Sequence, residues 1–186
     1  MIRLLDLSGS TPTEAADSKW ATMGDAAFAA NLDGTNFTAV AGYLSSPDDL
    51  HTWSKGDWDG VPGYKLPIWV GGMAGRQEAE SCLVQLDALH VPAGKTVALD
   101  LEGRVDITYV AAFGAIMQHH GYKVWVYGSA DTVFENPQLN GYWVADYAGI
   151  GQFMYAHPGT RATQWTDGAK YDQSTVKPWE LENLWV

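Results

Sequence analysis

Short apolar or β-branched runs alternate with stretches of helical spacing almost from the first residue, and this alternation restricts the fold more than any other feature of the chain. "RLLDLS" (3–8) reads as a strand and is followed by a helical stretch near 19–32. "FTAVAGYL" (37–44) reads as a second strand, after which Ser46, Pro47 and Asp49 supply the N-cap, first-turn proline and capping-box acid of a helix. "KLPIWVGG" (65–72) predicts a third strand, with a helix over 76–90. "TVALDLE" (96–102) predicts the fourth, followed by a helix within 106–121 that has Tyr109, Ala112, Phe113, Ile116 and Met117 on one face and Gly121 as its stop. "KVWVYGS" (123–129) is the fifth strand. Beyond it the helices shrink, and three more strands are expected at 142–147, 162–167 and 170–176. Five βα-type units followed by three strands predict one α/β domain over residues 1–186, closed into a barrel because closure removes the sheet edges.

Composition narrows the partners. Twenty-two acids against 11 Lys and Arg give a net charge of −11, which argues against nucleic acid and anionic membrane, since both need basic patches. No stretch approaches transmembrane length, and "MIRLLDLSGS" lacks the apolar core of a signal peptide. The expectation is a soluble product made in the cytoplasm without a leader, or a domain cut from something longer. One cysteine, Cys82, excludes an internal disulfide and a cysteine-based metal cluster; with Ala79, Leu83 and Leu86 it falls on one helical face, which predicts a core residue. Nine Trp and nine Tyr are many for 186 residues; most should serve the core and a minority should line a cleft, where flat rings stack on sugars.

The acids are not scattered. Asp6 closes "RLLD", Asp100 and Glu102 close "TVALDLE", Asp146 closes "YWVAD", and Asp172 lies in the last strand. In α/β barrels ligand sites gather at the C-terminal ends of the strands. Strand alternation puts Val97, Leu99 and Leu101 on one face and Ala98, Asp100 and Glu102 on the other, so the acids should face a wet barrel mouth while the leucines pack on helices. Paired carboxylates in a cleft suit glycoside hydrolysis, with one protonated to donate to the leaving oxygen and the other ionised beside the developing positive charge. Single acids at such places are usually solvated loop residues; several at successive strand ends favour a site. No histidine lies near them and no calcium loop is present, so neither a metal nor a cofactor is expected. His119 and His120 end a helix, where their cationic character suits the dipole. There is no nucleophile elbow and no phosphate-binding loop.

"LLDLS", "VALDLEG", "KVWVYGS", "GYWVADY", "ATQWTD" and "KYDQS" occur in the order seen in the family 25 glycoside hydrolases, and the chain resembles these lysozyme-type muramidases over nearly its whole length. It is also similar to related glycoside-hydrolase-like domains without assigned activity. The resemblance implies an irregular TIM-like β/α barrel of five βα units and three further strands. It matches Glu102 to the general acid, Asp100 to its partner, Asp6 to the acid of the first strand and Asp172 to that of the last. It also implies retention of configuration. Tyr127 and Trp143 match aromatic positions bordering the sugar, and Tyr43, Trp69, Asp146, Gln164 and Asp172 complete the candidate substrate-binding set. Two departures stand out: Tyr43 replaces the usual basic residue of the second strand, and the third strand ends "IWVGG" where the family has an aromatic–histidine pair. Two functions follow as expectations: a monomeric peptidoglycan-directed glycosidase of bacteriophage or exported-assembly context, or a catalytically degenerate barrel that serves as a glycan-binding or structural module.

Overall fold

A computed structural model describes residues 2–6, 39–45, 52–60, 63–101, 104–147, 153–166 and 172–186, with only the backbone of Ile2, Leu5 and Asp6 among them. The helix expected near 19–32, the cap at Ser46 to Asp49, and Glu102 lie outside the described residues. Eight strands form one closed barrel in sequential order. These are β1 (Ile2–Asp6), β2 (Ala39–Ser45), β3 (Tyr64–Val70), β4 (Thr96–Asp100), β5 (Lys123–Ser129), β6 (Gly141–Ala145), β7 (Thr160–Gln164) and β8 (Asp172–Val176). Strands β1 to β7 run parallel, and β8 pairs antiparallel with both β7 and β1. Helices α1 (Lys55–Gly60), α2 (Gly75–Ala88), α3 (Ile107–His119) and α4 (Ala130–Glu135) follow β2, β3, β4 and β5, which is the expected βα barrel with its short-connected final strands.

Strand alternation divides the core into two layers. Inward positions carry Leu4, Ala41, Leu66, Ile68, Ala98, Trp125, Trp143, Ala162 and Val176; the small alanines beside two fully buried tryptophans let large rings fill a narrow barrel. Outward positions carry Val97, Leu99, Val124 and Val126, which meet Cys82 and Leu86 of α2 and Val110, Phe113 and Met117 of α3. Removing each of these side chains from water is worth roughly 1.5–3 kcal/mol. Cys82 is fully buried on the predicted face, and burial pushes its thiol pKa well up.

Local signals set the helix ends. The Asp106 side chain accepts from the Tyr109 backbone N–H at 2.9 Å, capping α3, and the chain leaves that helix through Gly121 at φ +84°. Ser129 caps α4 through the Thr132 N–H. The end of the barrel where the parallel strands begin is closed by a 3-10 turn, Pro178–Asn183, and the residues after it. Leu184 is fully buried in the inner layer, Lys65 and Trp185 exchange backbone hydrogen bonds at 2.7 and 3.0 Å, and Arg161 pairs with Glu180 at 3.4 Å. The other end, where β1 to β7 terminate, is the mouth. No helix among the described residues is long and apolar enough to cross a membrane.

Candidate active site

Strand β4 carries the site's best described acid. Leu99 and Leu101 are in the outer layer and Ala98 in the inner one, so Asp100 takes an inward position at the strand's C-terminal end. Its neighbours in register are Val70 on β3 and Tyr127 on β5, neither of them a cation. The expected wet face is not what the fold provides: Asp100 is 1% exposed, because the inner layer packs tightly up to the mouth. A carboxyl so placed is held by its protein surroundings rather than by bulk water.

On the closing side, Asp6 and Asp172 are partners in the antiparallel β1–β8 pair, so two acids share one register position. Asp172 is 5% exposed. Asp6, at the end of β1, and Asp100, at the end of β4, therefore terminate parallel strands on the same rim.

Next to Asp100, the Tyr127 hydroxyl donates to Oε1 of Gln164, whose Nε2 donates to the Thr166 carbonyl at 3.1 Å. Gln164 is buried, and Tyr127 is half-buried with its ring 4.6 Å from that of Trp143. Trp143 is fully buried, its indole N–H donates to Ser174 Oγ at 3.0 Å, and its ring packs against that of Tyr127. Tyr43 is buried in the inner layer on β2, and Asp146 sits half-buried just past β6, its backbone N–H donating to the Gln164 carbonyl at 2.9 Å. Trp69 is not brought to this group: alternation with Ile68 turns it outward into the helix-facing layer, where its indole donates to Glu78 at 3.4 Å.

That contact belongs to a network the sequence reading missed. Glu78, in the first turn of α2, accepts from the backbone of Gly72 at 2.7 Å and of Ala74 at 3.0 Å, and from the Tyr109 hydroxyl at 2.5 Å. Burial pushes the Glu78 carboxyl up, but the bonds from Tyr109, Ala74, Gly72 and Trp69 outweigh it and hold it below the usual glutamate range. Burial, then the bond to Glu78 and its charge, push the Tyr109 hydroxyl far up. The Arg104 guanidinium lies 4.7 Å from the Tyr109 ring centroid. The readable signal was the glycine spacing of "VGGMAG". A Cβ at Gly72 would stand 2.2 Å from Glu78 Oε1, at Gly75 2.6 Å from the Tyr109 carbonyl oxygen, and at Gly71 3.0 Å from the Asp100 carbonyl oxygen. The Gly71 N–H donates to that last carbonyl at 2.7 Å, which ties the network to the end of β4. Among the described residues no three His, Cys, Asp or Glu side chains group as metal ligands.

No family model and no curated protein sequence matches the chain. Solved structures do. A B. stearothermophilus protein described as uncharacterized is 16% identical, with a TM-score of 0.73 over 100% of both chains. The catalytic domain of an endolysin from bacteriophage P40 of Listeria monocytogenes is 16% identical, with a TM-score of 0.67 over 98% of this chain and 96% of that one. A muramidase from Acremonium alcalophilum is 14% identical, with a TM-score of 0.59 over 97% of each. At these identities the likeness is one of fold, and the barrel implied by the family 25 resemblance is the barrel that the endolysin and muramidase domains have.

Proposed function

We propose that this chain is a peptidoglycan-directed glycosidase of the muramidase type, acting at the mouth of the barrel. The observation that carries the reading is the convergence of acids on one rim: Asp100, buried and inward at the end of β4, and the Asp6–Asp172 register pair at the closing seam. The shared fold with an endolysin catalytic domain and a muramidase supports it.

In the proposed chemistry Glu102 donates a proton to the glycosidic oxygen as its bond to C1 breaks, Asp100 and Asp6 stabilise the oxocarbenium-like state, and the substrate's own N-acetyl oxygen closes on C1; water, giving its proton back to Glu102, then opens that ring with overall retention. Glu102 is one methylene longer than Asp100, lies two residues further along the chain, and is followed by Gly103, which suits it to reach a leaving oxygen. Proton transfer and charge stabilisation suffice, so no metal is invoked. Cell-wall glycan is the proposed substrate, and a bacteriophage lysis or tail-associated protein the proposed setting.

The test is digestion of purified cell walls, following turbidity and released reducing ends for wild type and Glu102→Gln. Loss of turnover in the variant with retained folding supports the reading, and wild-type-like hydrolysis by the variant removes Glu102 from it. Glycan binding by a wild-type protein that cleaves no wall or chitin-like glycan would instead identify a binding barrel.

A further inference from the structure

Six residues, 101–106, join the end of β4 to the start of α3, and Glu102 and Gly103 are the second and third of them. The described residues on either side of that pair are fastened. The Leu101 N–H donates to the Tyr127 carbonyl at 3.3 Å, and the Arg104 N–H donates to the Leu101 carbonyl at 2.9 Å. Facing this connection is Asn136, the residue that ends α4, which is 3% exposed. Its Nδ2 donates to the Arg104 carbonyl at 3.2 Å and to the Thr132 carbonyl at 2.9 Å, and its Oδ1 accepts from the Asp106 N–H at 3.0 Å. A carbonyl only accepts and a backbone N–H only donates, so these partners fix which way the amide points.

Closing the end of α4 accounts for one of the three bonds, the one to Thr132. The other two leave that helix and hold a connection 30 and 32 positions back in the chain. Asp106 is thereby held twice, through its N–H by Asn136 and through its side chain, which caps α3. Asn136 is braced in turn from β6, where the Tyr142 hydroxyl donates to its carbonyl at 3.4 Å. We infer that Asn136 is a positioning residue for the proposed reaction: it fastens the connection that carries Glu102, so that the acid meets the glycosidic oxygen in one geometry. The inference rests on the glycan reading and deepens it. A general acid works through its placement, and a misplacement of about 1 Å costs on the order of 10²-fold. Loss of the Asn136 bonds should therefore fall on turnover rather than on glycan binding.

The test measures kcat and KM on purified walls for wild type, Asn136→Ala, Asn136→Asp, Glu102→Gln and the Asn136→Ala, Glu102→Gln double variant, with amide hydrogen exchange at Asp106 in parallel. Asn136→Ala is expected to lower kcat about 10- to 100-fold with KM within about twofold, and to speed exchange of the Asp106 N–H. Asn136→Asp keeps the shape and the acceptor for Asp106 but has no donor for Arg104. It is expected to lose kcat while keeping Asp106 protected, and it carries the test if the alanine variant does not fold. In the Glu102→Gln background the alanine substitution is expected to lower the residual rate no further, whereas a residue that merely supports the fold would lower both rates alike. Wild-type kcat in either folded Asn136 variant, or an equal loss in the Glu102→Gln background, overturns the inference and leaves the glycan reading standing. A wild type that digests no wall defeats that reading and the positioning role together, whereas unchanged exchange at Asp106 in Asn136→Ala defeats the fastening itself.

Discussion

Tyr109 donates its hydroxyl proton to Oε2 of Glu78 at 2.5 Å, fastening the first turn of α3 to the first turn of α2 just outside the end of β4. Hydrogen bonds to a charged group are the stronger kind, so Tyr109→Phe should cost about 1–3 kcal/mol. The measurement is a urea midpoint that falls at an unchanged m-value. An unchanged midpoint would mean the bond contributes nothing net.

The same pair sets a pH window. The Glu78 carboxyl is held below its unfolded value, so its contribution is present above about pH 4.3 and is lost as pH falls through the lower folded value. Tyr109 is shifted up, so its contribution is present below about pH 10 and declines as pH rises beyond that toward the folded value. Stability against pH should therefore fall at both extremes. Tyr109→Phe should flatten the alkaline fall and make the acid fall shallower. Identical profiles for variant and wild type would assign both limbs to other groups.

Gly75→Ala tests the close approach of the two helices. The added Cβ meets a backbone oxygen 2.6 Å away, so α2 and α3 must separate, at a cost of about 1–3 kcal/mol. Gly60→Ala is the control: nothing lies within 4 Å of its Cβ, and the change should stay within about 0.5–1 kcal/mol. Equal melting-temperature shifts in the two variants would count against the packing account.

Cys82 should be inert. It is fully buried with its thiolate disfavoured, so a thiol reagent should modify it only as fast as the protein opens. Labelling followed across a urea series should track the unfolded fraction; rapid labelling in buffer would place the residue outside the core.

If the proposed chemistry holds, Asp100→Asn lowers kcat on cell walls by about 10²- to 10⁴-fold. EDTA should leave the wild-type rate unchanged. Restoration of a chelator-inhibited rate by a divalent ion would contradict the metal-free scheme.

How far the sequence could be read depended on the range of the interaction. Strand β5 occupies the predicted 123–129, and the Ala79–Cys82–Leu86 face of α2 lies inward as its spacing required, because both follow from local periodicity. Trp69 was legible too, since parity with Leu66 and Ile68 turns it outward; aromatic character alone had suggested a sugar contact. Trp143 was not legible in this way. Stacking on sugar and filling a barrel ask for the same residue, and the complete burial of Trp143 follows from packing that no local pattern encodes. The Glu78–Tyr109 bond spans 31 positions and depends on how two helices dock, which no local pattern encodes.

The seam between β1 and β8 also governs when the barrel can exist. The first strand finds one of its two neighbours only in the eighth, so a nascent chain carrying β1 to β7 is an open sheet with two unpaired edges. Closure, and with it the meeting of Asp6 and Asp172, waits for β8 to be synthesised and turned back against the others. A slow, topology-limited final folding step is the consequence, during which those edges are the surface most exposed to mispairing with another chain.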